Sequence, residues 1–424
     1  MRLSSGRTSG RLLPFALALI AVVTSGGCGA FETPEQRPCA WLDGPPGEAV
    51  AGGPRTVVLV DRSPSARPGR ATAAGVRAPD WAMTALAAPG LALPELEGGS
   101  LSVAGFDGTR AAIDWDVNNA FVSPVKGNGL RKKDGRGVAH RCVEDRLRQV
   151  AAAAPGTGRT DVLGALAAAA EQLGPADGGR RRIVVATDGL SNTGCADLRS
   201  AGFDGTAEIE ARVQRCRTAG ELPDLTGAEV SLVGTGRAVT GRAPSSPQAD
   251  WLVRLWTRLC EASGAERCRV TTTARVQEAG SGTRTGKAEP AVVFPAVSER
   301  PAGKVTTIAL PGSILFATDR AELTPQAQGT LDTAARRIKE LDPLSVAVSG
   351  HTDSRGTEAR GEELSLARAR AVRSALARRG VAVASAEGHS DHRPSCSPEY
   401  RDGEPDHAAM ACNRRVEIAV TVRR

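Results

Sequence analysis

The sequence predicts an α/β fold with two parts: a doubly wound, mostly parallel sheet, and a separate, smaller βαβαβ domain of the α+β class. Short apolar segments at residues 56–60, 182–186 and 230–233 alternate with helical patterns, as in a parallel sheet that is covered on both faces. A Gly-rich segment without periodicity, residues 274–303, separates this alternation from a second one. The length of 424 residues agrees with two or three domains, since a domain holds roughly 150 residues.

The first 27 residues have the organisation of an export signal. Three arginines precede an apolar run over residues 12–23, which is too short to span a bilayer comfortably but suits a signal peptide. The sequence SGGC at residues 25–28 resembles a bacterial lipobox, although Leu or Val is usual where Ser25 stands. This resemblance implies that Cys28 is acylated and anchors the chain to a membrane. Simple cleavage that leaves Cys28 unmodified is the alternative.

The nine cysteines fit an exported chain. If Cys28 carries lipid, eight remain, and an even number in an exported protein favours disulfides. No pair has the CxxC spacing that is typical of a metal site. Sequence alone leaves the connectivity open, but short separations favour three pairings and leave a fourth: Cys195–Cys216, Cys260–Cys268, Cys396–Cys412 and Cys39–Cys142.

Residues 28–53, rich in Pro and Gly, are predicted to form a tether to a first domain at residues 54–273. Helices are predicted in this domain over residues 145–154 and 162–173, among others. A basic insertion at residues 126–133 is either a solvated loop or a surface for acidic groups of a partner.

Charge and composition do not favour a nucleic-acid partner. The signal contains three arginines and no acid, so the mature chain has 51 basic and 47 acidic residues, a net charge of +4. Many nucleic-acid-binding surfaces contain basic clusters with aromatic residues between them, and this sequence has no such cluster.

Oxygen-bearing side chains follow two buried strands and precede one helix of the first domain. A D-x-S-x-S run comes directly after the strand at residues 56–60, and a Thr-Asp-Gly segment follows the strand at 182–186. In a doubly wound sheet these segments meet at the carboxyl edge, where ligands bind. The set is suited to Mg²⁺ or another divalent cation, because all five side chains offer hard oxygen ligands: Asp61, Ser63, Ser65, Thr160 and Asp188.

These residues resemble the metal-ion-dependent adhesion site of von Willebrand factor A domains, over roughly residues 55–273. The resemblance implies a metal with one open position, which the acidic side chain of a partner protein fills. Thr157 is an alternative to Thr160 as the threonine ligand. Pro64 and the insertion at residues 66–80 depart from the family pattern, so a degenerate domain that keeps the fold and binds no metal is the alternative.

The linker at residues 274–303 leads to a second domain at residues 304–424. Strands are predicted at residues 305–310, 345–349 and 416–422, with helices between them. Thr324 is predicted to cap the first helix, since proline at the next position suits the first helical turn.

The second domain resembles the OmpA-like peptidoglycan-binding domain. The matching segments include GHTDSRGT at residues 350–357 and NRRVE at 413–417. The resemblance implies that Asp353 binds the ammonium of diaminopimelate in the peptidoglycan stem peptide, and that Arg368 binds the adjacent carboxylate. This assignment is chemically sound, because a planar guanidinium binds a carboxylate through two hydrogen bonds.

Two further residues, Thr352 and Arg415, are weaker candidates for contact with the same ligand, and Arg415 is equally well explained by a structural ion pair. Gly361 stands where the family usually has Asn, which removes one possible hydrogen bond.

No enzymatic motif is found. His389 and His392 lie in a loop without an acid-rich helix beside them, and the chain has no nucleophile elbow or phosphate loop. An envelope hydrolase is the alternative of a different class, and it would need a catalytic acid in a cleft.

The sequence therefore predicts an exported, non-enzymatic lipoprotein that is anchored to a membrane of the cell envelope and faces the cell wall. Its second domain is expected to bind peptidoglycan, and its first domain to bind an unidentified protein partner through the metal. A pure wall anchor with a degenerate first domain is the leading alternative.

Overall fold

The computed structural model describes residues 38–44, 52–67, 77–108, 113–176, 178–239, 243–278, 288–317 and 319–423. The predicted signal peptide, Cys28 and most of the tether lie outside these residues. Of the helices in the described part of the chain, none combines the length and apolarity that crossing a membrane requires.

The described residues form strands and helices in alternation, as the sequence predicts. The strands are β1 (Arg55–Asp61), β2 (Arg77–Pro79), β3 (Ser100–Phe106), β4 (Trp115–Phe121), β5 (Arg181–Ala186), β6 (Ala228–Val233), β7 (Arg267–Thr271), β8 (Val276–Glu278), β9 (Ser298–Ala302), β10 (Val305–Pro311), β11 (Pro343–Gly350), β12 (Ser385–Gly388), β13 (Tyr400–Arg401), β14 (Glu404–Pro405) and β15 (Arg415–Val422). The helices are α1 (Trp81–Leu86), α2 (Leu93–Leu96), α3 (Gly129–Ala152), α4 (Val162–Leu173), α5 (Thr206–Thr218), α6 (Ser246–Ala262), α7 (Gly312–Leu315), α8 (Ala327–Glu340), α9 (Glu358–Ala377) and α10 (His407–Asn413).

The first sheet has the order β4-β3-β1-β5-β6-β7 and is parallel except for the edge pair β3–β4. Alternate residues of β1 face opposite cores, because side chains alternate along a strand. Val57 and Leu59 pack into the core that contains Trp251 of α6, whereas Val58 and Val60 pack into a second core on the other face. The sheet is therefore buried on both faces, and its carboxyl edge is left as the place for a site.

The second sheet has the order β12-β11-β15-β10-β9. Strand β15 pairs antiparallel with β10 and β11, and β12 pairs parallel with β11. Leu331 and Ile338 of α8 pack with Val372 and Leu376 of α9 in one apolar core. The loop after β11 and the helix α9 thus belong to one compact layer. This layer positions Asp353 and Arg368, the two residues predicted to bind peptidoglycan.

Four elements differ from the sequence-based prediction. Helix α3 begins at Gly129, so most of the basic insertion is helical and exposed. These N-terminal turns of the helix have no apolar periodicity, which is why the sequence did not predict them. Helix α8 begins at Ala327 rather than after Thr324. The backbone carbonyl of Thr324, and not its hydroxyl, accepts a hydrogen bond from the Ala327 amide at 3.1 Å. Strands β8 and β9 both lie within the predicted linker, and they pair with β2 and β10.

Four disulfides are formed in the described part of the chain, and they are the predicted pairings: Cys39–Cys142, Cys195–Cys216, Cys260–Cys268 and Cys396–Cys412. The first of these closes 103 residues and holds the start of the described chain against α3. Long closed loops restrict the unfolded chain most, so this bridge is the one with the largest expected entropic contribution.

Candidate functional sites

The D-x-S-x-S run forms a tight turn at the end of β1, where Asp61 is the last residue of the strand. The Asp61 carboxylate accepts hydrogen bonds from the Ser63 amide at 2.8 Å and from the Thr187 hydroxyl at 2.6 Å. The Ser63 and Ser65 hydroxyl oxygens lie 3.1 Å apart. These short contacts bring the first three predicted metal ligands together at the carboxyl edge of the sheet.

The second carboxylate of the set, Asp188, is buried next to Asp61 at the end of β5. One of its oxygens accepts from the Leu190 amide at 2.9 Å, and the other is buried without a hydrogen-bond partner. Burial raises the pKa of Asp61 from 3.8 to about 6, although hydrogen bonds from Ser63 and Thr187 oppose this shift. Burial, and then the neighbouring Asp61, raise the pKa of Asp188.

This chemistry fits a divalent cation. A buried carboxylate oxygen without a donor is costly, and a bound cation would offset both that cost and the repulsion between the two acids. Within the described residues no group of three or more His, Cys, Asp or Glu side chains is arranged to hold a metal. A cation at this edge would therefore depend on the two carboxylates Asp61 and Asp188 together with hydroxyl oxygens and water.

Thr160 is positioned by the start of α4, because the next residue, Asp161, caps that helix by accepting from the Gly164 amide at 2.8 Å. The Thr160 hydroxyl donates to the carboxylate of Glu289 at 2.6 Å. The alternative threonine, Thr157, instead donates to Asp107 at 2.9 Å. Of the two candidate threonines, Thr160 is therefore the one that lies with the other predicted metal ligands. It is linked to them through Glu289, a contact that the sequence did not predict.

Glu289 is the main residue at this site that sequence reasoning missed. It accepts from the Ser65 amide at 2.5 Å and from the Asn192 side-chain amide at 2.8 Å. Its sequence neighbourhood is the Gly-rich segment that was predicted to be a linker, and a single glutamate in such a segment carries no local signal.

The second candidate site lies in the loop after β11. Asp353 is buried, and its carboxylate accepts from two nitrogens of Arg355, at 2.7 Å and 3.0 Å, and from Arg414. Burial opposes ionisation of this carboxylate, but Arg355 and Arg414 outweigh burial and lower the pKa of Asp353. Asp353 is therefore a charged, strongly paired acid.

Arg414 connects this site to the first sheet region. Its Nε donates to the carboxylate of Asp204 at 2.9 Å, and Asp204 lies just before α5. The Glu208 carboxylate in turn accepts from the Gly202 amide at 2.9 Å, so α5 holds the loop that carries Asp204. Sequence reasoning chose the neighbouring Arg415 and missed both members of this ion pair.

Arg368 lies on α9 and is buried. Its Nε donates to the carbonyl of Arg320 at 3.0 Å, and its guanidinium lies 5.1 Å from the centre of the Phe316 ring. Among the ion pairs of the described residues, none joins Arg368 to Asp353. Burial lowers the pKa of Arg368, and Asp204 is the acid that opposes this shift most.

The two weaker candidates have different surroundings. The Thr352 hydroxyl is buried without a partner, beside Gly361, where an added Cβ would lie 2.2 Å from the Ser390 hydroxyl. Arg415 donates to Glu417 at 2.8 Å, which is a structural ion pair. The cleft beside Asp353 measures ≈ 250 Å³ and is lined in part by Thr357, Gly361 and Ser390.

Comparisons with known proteins match the part of the chain that forms the second sheet. Residues 315–402 match the OmpA family. Outer membrane protein P5 of Haemophilus influenzae is 35% identical over 148 residues, which are 34% of this chain and 40% of that protein. Outer membrane protein A of Serratia odorifera is 36% identical over 121 residues, or 26% of this chain and 49% of that protein. The chain thus spans less than half the length of these relatives.

Solved structures match a similar share of this chain. The cell wall anchor of the T6SS from Pseudomonas aeruginosa is 30% identical, with a TM-score of 0.26 over 30% of this chain and 88% of that one. The periplasmic domain of Helicobacter pylori MotB is 19% identical, with a TM-score of 0.27 over 30% of this chain and 83% of that one.

Proposed function

We propose, from the OmpA-like domain that includes residues 315–402, that this chain is a non-enzymatic cell-envelope protein that binds peptidoglycan through that domain. The observation that carries the proposal is a buried, fully charged Asp353 in one loop of the domain, with a buried Arg368 on the helix that follows. An acid and a planar cation are what the ammonium and the carboxylate of diaminopimelate require.

Binding at this pair needs an exchange of partners. Asp353 is now paired with Arg355 and Arg414, and Arg414 is also paired with Asp204. A ligand ammonium would take over part of this pairing, and a ligand carboxylate would pair with the Arg368 guanidinium. Truncating one partner of such a desolvated, hydrogen-bonded charge pair costs about 2–5 kcal/mol of binding free energy.

Sedimentation of the full chain with insoluble peptidoglycan tests this proposal. Asp353→Asn and Arg368→Lys should each weaken binding by roughly 30-fold or more, since about 1.4 kcal/mol corresponds to tenfold in affinity. Glu322→Gln, an equal charge change at an exposed position of the same domain, should bind like the wild type. Free diaminopimelate should compete.

Adsorption of a basic protein to an anionic wall is the competing explanation. It fades with salt and does not depend on Asp353, because removing an acid makes the domain more basic. If Asp353→Asn sediments with peptidoglycan as well as the wild type at moderate salt, the proposal is wrong.

The first sheet region supports a second, finer proposal: Asp61, Asp188 and the neighbouring hydroxyls bind Mg²⁺ or another divalent cation and thereby create a protein-binding face. Its support is the buried Asp188 oxygen without a donor. A degenerate domain that only spaces the wall-binding part from the membrane is the alternative, and it would not respond to Mg²⁺. Lipid attachment at Cys28 would place the whole chain at a membrane of the envelope, facing the wall.

A further inference from the structure

We infer that the acidic ligand of the candidate cation site is the chain's own Glu289, so that the first domain binds the segment leading to the OmpA-like domain. This inference rests on the proposed cation site and names the group that the site binds. It changes the expected role of the site from capturing an external partner to holding the connecting segment in place.

The contacts of Glu289 are specific. Both of its carboxylate oxygens are used, and the three donors come from three separate loops at the carboxyl edge of the first sheet: the Ser65 amide, the Thr160 hydroxyl and the Asn192 side-chain amide. Asn192 also donates to the carbonyl of Pro290 at 3.2 Å, so one amide group binds two successive residues of the segment.

The charges at the site point to a cation. Glu289 brings a further carboxylate to Asp61 and Asp188, and the donors recorded for these three acids in the described part of the chain are all uncharged. Like charges at a buried site repel one another, and neutral donors offset that repulsion only in part. A divalent cation held by Asp61, Asp188, the neighbouring hydroxyls and water would offset this repulsion and attract the Glu289 carboxylate, which is why an acidic segment would dock here.

The residues after Glu289 are also docked on the first domain. The Phe294 ring lies 4.4 Å from the Phe203 ring, measured between centres, and the carbonyl of Pro295 accepts from the Gln248 side chain at 2.8 Å. Because this docking holds Glu289 close to the site, its effective concentration is high, and an external acidic side chain would have to displace it.

Calorimetric titration of the full chain with Mg²⁺ tests the inference. Glu289→Gln keeps the size and hydrogen-bonding oxygen of the side chain but removes its charge, and should weaken Mg²⁺ binding at least tenfold. The matched control is Glu278→Gln, an equal change at an exposed position of the same segment, which should leave Mg²⁺ affinity unchanged. Equal affinities of the wild type and Glu289→Gln overturn the inference while the cation site itself stands.

Chemical rescue gives a second readout. In Glu289→Ala the space of the carboxylate is open, so added acetate should increase the Mg²⁺-induced rise in Tm, whereas uncharged acetamide should not. The wild type should not respond to acetate, because Glu289 already occupies the position. Absence of acetate rescue in a folded Glu289→Ala chain counts against the inference, and absence of Mg²⁺ binding by the wild type overturns the proposed cation site together with it.

Discussion

Mild acid should destabilise the folded chain through His407, the first residue of α10. This side chain is only 5% exposed, and its Nε2 is buried without a hydrogen-bond partner. Burial, and then the positive charges of Arg212, Arg355, Arg414 and Arg215, lower the pKa of His407 from 6.5 to about 4. The folded chain therefore binds the proton more weakly than the unfolded chain does.

The magnitude follows from this difference. A pKa that is depressed in the folded state contributes stability above the unfolded pKa, and that stability is lost as the pH falls. The difference of about 2.5 pKa units corresponds to about 3 kcal/mol once the pH is below both values, at 1.36 kcal/mol per unit. Between pH 7 and pH 5, where the unfolded histidine becomes protonated first, His407 alone should account for a loss of about 2 kcal/mol of unfolding free energy.

Urea unfolding of the full chain at pH 7 and pH 5 measures this loss. His407→Asn should reduce the difference between the two pH values by about 2 kcal/mol. His392→Asn is the control, because His392 is exposed and its Nε2 lies 3.1 Å from the Glu358 carboxylate. A His407→Asn chain that loses as much stability on acidification as the wild type would refute the reasoning.

Two other predictions concern the anchor and the loop that reaches Arg414. Cys28→Ser should release the chain from membranes; retention of this variant, with no lipid on the wild-type cysteine by mass spectrometry, would show that anchoring is not through Cys28. Glu208→Ala should cost about 3–5 kcal/mol in urea unfolding, because it leaves the Arg212 guanidinium buried without its partner, which now lies at 3.3 Å. The exposed pair of Glu210 with Arg258 is the comparison, and Glu210→Ala should cost at most about 1 kcal/mol.

Local sequence predicted the parts of the fold that depend on near neighbours. The run at residues 56–60 is a buried strand because each of its residues is apolar or β-branched, and side chains on both faces of β1 find an apolar core. Asp61, Ser63 and Ser65 lie together because each is two positions from the next within one turn. Cys396 and Cys412, which are 16 positions apart in the second domain, also pair as their short separation predicts.

The predicted helix boundaries were less accurate where solvation, not packing, determines the structure. The exposed N-terminal turns of α3 have no apolar stripe, so the sequence pattern placed a loop there. Strand β9 is exposed along its whole length, and its pairing with β10 depends on the neighbouring strand and not on its own composition.

By itself, the sequence determined the two α/β regions and the acids that follow buried strands, since these follow from periodicity and from position at a strand end. Asp353 and Arg368 were predicted only through the resemblance to the OmpA-like domain. Only the tertiary structure decided which charges meet. Glu289 reaches Thr160 across 129 positions, and Arg414 reaches Asp204 across 210. An isolated glutamate or arginine has no periodic signal, and its partner is selected by burial, where an unpaired charge is too costly to remain.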